Sequence, residues 1–132
     1  MSSEVHLSET TIIGNPVTWE CPSPKTSFGV VFEDDGETGY LYGLNFENKE
    51  QPILDALHIY NVKDIVDKDV SVKVEIVWSE DGLKVCLQIN GFPHAVFDFE
   101  SSKAYCRTNF PRPDRRFTNS HKWSDEALEL FK

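Results

Sequence analysis

A thiol beside an imidazole is either half of a metal site or an activated nucleophile, and a nearby carboxylate completes the set by orienting the ring. Cys86, His94 and Asp98 are the residues of this chain that strand pairing can bring into such an arrangement. The fuller ligand sets that would settle a metal or an enzyme are missing: no C-x-x-C, H-E-x-x-H, G-x-S-x-G or phosphate-loop lysine motif occurs. A packed cysteine beside a hydrogen-bonded histidine is the commoner outcome of such a pair. No catalytic residue, metal or cofactor is therefore assigned, and Cys86, His94 and Asp98 are kept as the enzyme alternative.

The second group is the arginines. All four, Arg107, Arg112, Arg115 and Arg116, lie within ten positions and are interleaved with Tyr105, Phe110, Phe117 and Trp123. Guanidinium groups pair bidentately with carboxylates and phosphates and stack on rings, so this segment reads as a site for a small anionic ligand or an acidic protein surface. The competing reading is self-neutralisation, because residues 1–102 hold 18 acids against 6 bases while 103–122 hold 6 bases against 1 acid. Nucleic acid is disfavoured by the same acidic body. The acidic run Glu33, Asp34, Asp35 and Glu37 lacks the spacing of a calcium loop and reads as a solvated turn.

These residues must be held by strands. Val70 to Ser79 alternates with period two, with Val77 as the exception, and Leu83 to Ile89 alternates after the turn dipeptide Asp81-Gly82. Pairing across that turn sets Trp78 opposite Val85, Ile76 opposite Leu87 and Val74 opposite Ile89. At Asn90-Gly91 a three-residue loop with a glycine bulge is expected, pairing Leu87 with Pro93, Val85 with Ala95 and Leu83 with Phe97, and so facing Cys86 with His94. Phe28 to Phe32 and Tyr40 to Phe46 form another hairpin across Asp34 to Gly39, and Gly43 marks a bulge or a close backbone approach. Val17 to Cys21 is a further strand. Pro52 to Val62 fits either a helical turn or a strand. Ser124 can cap a C-terminal helix of about eight residues, too short to hold without docking on the sheet.

The 132 residues suit one domain, 1–132, with 1–10 expected to be poorly ordered and 107–122 an irregular basic segment. The class expected is α+β, β-dominated: a curled antiparallel sheet or roll of about six strands with a short C-terminal helix. Net charge is -9, no apolar run is long enough to span a bilayer, and no secretory signal is visible. Three cysteines without paired spacing favour a reducing cytoplasm.

Four segments carry a resemblance: Gly29 to Tyr40 (GVVFEDDGETGY), Ile53 to Val62 (ILDALHIYNV), Ile89 to Phe99 (INGFPHAVFDF) and Tyr105 to Pro111 (YCRTNFP). With these the chain resembles, over residues 16 to 125, a small family of uncharacterised bacterial proteins, a domain of unknown function. The resemblance implies a bacterial, intracellular, single-domain protein and brings no catalytic residues. The function expected is a non-enzymatic cytoplasmic binding or regulatory module acting through Arg107, Arg112, Arg115 and Arg116. The alternatives are an enzyme or metal site at Cys86, His94 and Asp98, and an immunity-type partner that neutralises another protein.

Overall fold

The computed structural model describes residues 3–65, 69–108 and 121–131. Its strands, in chain order, are β1 (Ser3–Ile12), β2 (Val17–Pro22), β3 (Phe28–Asp34), β4 (Thr38–Asn45), β5 (Ile53–Asn61), β6 (Ser71–Ser79), β7 (Lys84–Ile89), β8 (Phe92–Asp98), β9 (Lys103–Cys106) and β10 (His121–Lys122). A 3-10 turn, Val62–Asp64, follows β5, and helix α1 spans Glu126–Glu129. The class is β-dominated α+β with a short C-terminal helix. The strands are divided between two sheets. One runs β1-β6-β7-β8-β9-β10, antiparallel except for its last pair, and the other is the antiparallel meander β2-β3-β4-β5.

The two sheets face each other across one core. From the meander come Val30, Phe32, Leu41 and Leu57, all fully buried, and from the larger sheet Ile76, Trp78, Val85, Leu87 and Phe97. Each such side chain stabilises by about 1.5–3 kcal/mol relative to exposure, which is what holds two otherwise marginal sheets together. The β6–β7 register is the expected one, with Trp78 opposite Val85, Ile76 opposite Leu87 and Val74 opposite Ile89. Val77, the apolar exception on the outer face, lies opposite Cys86.

Three expectations are corrected and one open alternative is resolved. The segment expected to be poorly ordered, 1–10, contributes to β1, which pairs with β6 along its length. Of the two alternatives open for Pro52 to Val62 the strand holds, over Ile53–Asn61, because pairing with β4 turns Leu57 and Tyr60 into the core. At Asn90-Gly91 the loop has two residues, not three. Asn90 (φ 52°) and Gly91 (φ 79°) both adopt the left-handed conformation that a type I′ turn needs, and Ile89 pairs with Phe92. The face correction comes instead from a bulge at His94, after which Leu87 pairs with Ala95 and Val85 with Phe97.

The third correction concerns the acidic turn. Asp34 is buried, and it ties three segments together: Oδ2 accepts the Gly14 N–H (2.7 Å) and the Tyr60 hydroxyl (2.7 Å), and Oδ1 accepts the Gly36 N–H (2.8 Å). Asp35 accepts the N–H groups of Glu37 and Thr38 (both 2.9 Å). Asp34 is thus a buried structural acceptor, whereas Asp35 closes the turn while staying exposed, as the solvated-turn reading expects.

β4 faces the core with Gly39, Leu41 and Gly43, so its tyrosines face outward. A Cβ at Gly39 would lie 2.6 Å from Tyr60 Cζ, and one at Gly43 would lie 3.0 Å from Phe97 Cε1. The rings of Tyr60 and Phe97 occupy the volume that side chains at these glycines would need. Gly43 also adjoins a bulge, as its position suggests, and what approaches it closely is the Phe97 side chain rather than another backbone.

Candidate functional site

The bulge at His94 decides the fate of the thiol–imidazole pair. Cys86 stands opposite Val96, not His94. Both Cys86 and Val96 point to the outer face of the larger sheet, where Ala127 of α1 packs on them with Tyr105, Trp123, Leu130 and Phe131 around. Burial pushes the Cys86 thiol up to about 12, against a smaller opposing effect of the Arg107 charge, so it is a protonated packing group at neutral pH. His94 is pushed down, first by burial and then by Arg107, and its ring stands edge-on to Phe92 at 5.3 Å. Asp98 is buried and accepts the N–H groups of Glu100 (3.1 Å) and Ser101 (3.2 Å) at the β8–β9 turn. Its carboxylate is engaged in turn closure, and the three residues do not form a relay.

Of the sequence-designated arginines, Arg107 is described and Arg112, Arg115 and Arg116 lie outside the described residues. Arg107 is exposed at the end of β9. Its guanidinium carbon lies 3.8 Å from the Trp123 ring centroid and 4.6 Å from that of Phe92. Nε–H donates to the Pro93 carbonyl (3.0 Å), and the backbone N–H donates to the His94 carbonyl (3.2 Å). Trp123 is itself oriented, its Nε1–H donating to Asp125 Oδ1 (2.9 Å). The β8 turn, β9 and the start of the C-terminal segment thus converge on one planar cation. Each exposed cation–ring contact contributes about 0.5–1 kcal/mol.

A second polar site, missed by the sequence reading, lies on the outer face of the meander. Thr38, Tyr40, His58, Asn61 and Thr108 line a hollow of ≈ 500 Å³. His58 Nε2 is 3.0 Å from Asn61 Oδ1, Tyr40 packs edge-on to His58 at 5.3 Å, and the Thr108 hydroxyl donates to the His58 carbonyl (2.7 Å). The tyrosine spacing was the available signal, but period two alone does not say which face looks inward. Among the described residues no group of three or more His, Cys, Asp or Glu side chains converges as a metal site. No helix among them is long and apolar enough to cross a membrane.

The family of uncharacterised proteins conserved in bacteria (DUF2251) matches residues 11–132. The chain belongs to that family. An uncharacterised protein of Haemophilus influenzae is 49% identical over 87 residues, which is 66% of this chain and 54% of that protein. The chain therefore spans about half the length of the curated relative it matches. No solved structure matches it. The matched span includes Phe92, Arg107 and Trp123 of this chain.

Proposed function

We propose that this family member is a non-enzymatic cytoplasmic binding module in which Arg107 contacts a carboxylate or phosphate of an anionic ligand or an acidic protein surface. The observation that carries this reading is the seating of the Arg107 guanidinium against the rings of both Phe92 and Trp123. Two rings pack against the guanidinium and Pro93 takes Nε–H, which leaves the terminal nitrogens as the donors for an incoming acceptor. A side chain already fixed loses little rotamer freedom when it meets an acceptor. Arg112, Arg115 and Arg116 add charge near this point in the chain and are assigned to the same role from the sequence.

The test is an amide-shift titration of labelled protein with nucleotides, phosphorylated metabolites and short acidic peptides. Saturable shifts at Arg107, Phe92 and Trp123 are expected. Arg107→Lys keeps the charge but loses the planar fork, and it should weaken binding about 10–100-fold. Unchanged affinity in Arg107→Lys and Arg107→Ala, or no shifts with any probe, overturns the reading.

A further inference from the structure

The outer face of the meander has the opposite character. Its β2, β3 and β4 residues are Thr18 and Glu20, Val31 and Glu33, and Tyr40 and Tyr42, in register as Thr18–Glu33–Tyr40 and Glu20–Val31–Tyr42. The tyrosine rings stack with centroids 5.9 Å apart and 19° between planes, and the Tyr42 hydroxyl donates to Glu33 Oε1 (3.4 Å). Both rings are half-exposed, and Glu20 is exposed. α1 packs on the other sheet, and no described helix covers this one.

We propose that this face docks an arginine-bearing basic segment of a protein partner, with guanidinium groups against the rings of Tyr40 and Tyr42 and their N–H forks on the carboxylates of Glu33 and Glu20. Charge complementarity selects the sign of the partner. The chain carries -9, and the acids are concentrated in the 102 residues that include this face. Ring geometry selects arginine over lysine, because a guanidinium stacks on an aromatic face while offering in-plane donors to a carboxylate. Arg107 shows the ring contact of this chemistry within the chain itself, its guanidinium carbon 3.8 Å from a tryptophan ring centroid. This inference is independent of the anion site: it uses the other sheet and a ligand of the opposite charge.

The experiment is an amide-shift titration of the full chain with hexa-arginine, and with hexa-lysine for comparison, at physiological salt. Hexa-arginine is expected to shift Val31, Glu33, Tyr40 and Tyr42 saturably and to bind about tenfold tighter than hexa-lysine. The double variant Glu20→Gln/Glu33→Gln leaves the rings in place and should cost about tenfold. Tyr40→Leu, which keeps an apolar strand residue, should erase the preference for arginine, with dispersed spectra confirming that each variant folds. Equal binding of the two peptides, shifts scattered over all acidic turns, or an unchanged affinity in the double variant overturns the proposal. The chain's own arginines are the rival occupant. If Arg112→Ser/Arg115→Ser/Arg116→Ser moves the Tyr40 and Tyr42 signals without peptide and raises peptide affinity, the face serves its own segment and the partner is overturned.

Discussion

Asp34 is the residue on which three connections depend. It joins the β1–β2 turn, the β3–β4 turn and Tyr60 through one buried carboxylate. Burial and this carboxylate together push the Tyr60 hydroxyl well above its ordinary range, so it stays a donor. Asp34→Ala strands two N–H groups and a hydroxyl and should cost about 3–5 kcal/mol, read as a fall in urea midpoint. Asp81 shows the pH side. Burial works against its charge, but the Ser79 hydroxyl (2.6 Å), Lys84 Nζ (2.9 Å) and the Leu83 N–H (3.0 Å) prevail and bring it to about 2. Its folded value lies below the unfolded one of about 3.9. Its contribution is therefore complete above about pH 4 and lost as pH falls toward 2. A carboxyl-shift titration should find the Asp81 midpoint near the bottom of that window.

Helix α1 is four residues long and survives by docking. The N-cap is Asp125, one residue past the expected Ser124, although Ser124 Oγ still accepts the Glu126 N–H (3.2 Å), and Ala127 seals Cys86. Ala127→Glu has no room for its carboxylate and should release the helix. The readout is Cys86 alkylation: very slow in the native protein at pH 8, and accelerated at least tenfold in the variant while the sandwich stays folded. The same thiol gives an alkaline limit. Its folded value of about 12 exceeds the ordinary 9.0. The stability it contributes is thus intact below about pH 9 and declines as pH rises toward 12. Cys86→Ala should flatten that part of the stability curve. At β4, Gly39→Ala drives a methyl group into the Tyr60 ring and should cost about 1–3 kcal/mol in the same urea assay.

At the scale of the whole molecule, order along the chain and order in the sheets diverge. β1 pairs with β6, past the entire four-stranded meander. A fold dominated by such distant pairings closes long loops before its contacts reward them, so refolding in milliseconds to seconds is expected by stopped-flow tryptophan fluorescence. Trp78, fully buried where the sheets meet, is the reporter. The two outer faces divide the chemistry. The larger sheet carries Arg107 and the docked helix, and the meander carries the tyrosines and glutamates.

Local alternation and turn dipeptides were sufficient for much of the architecture. They placed the β6–β7 hairpin in register, the β3–β4 hairpin, strand β2, the C-terminal helix and the β-dominated class, because neighbours in sequence settle these choices. Arg107 stood out by composition, since every arginine falls in one segment. Only the tertiary structure decided which face of β4 looks inward, because Tyr60 and Phe97, distant in sequence, fill the space over Gly39 and Gly43. It also decided that a bulge, not a longer loop, corrects the β7–β8 faces, which separates Cys86 from the opposite position to His94. That Asp34 is a buried knot and that Arg107 packs against two rings likewise follow from contacts across 20 or 26 residues and 14 or more residues, respectively. A sequence pattern reports a residue's neighbours on its own strand, whereas burial and partnership are set by what the other sheet brings against it.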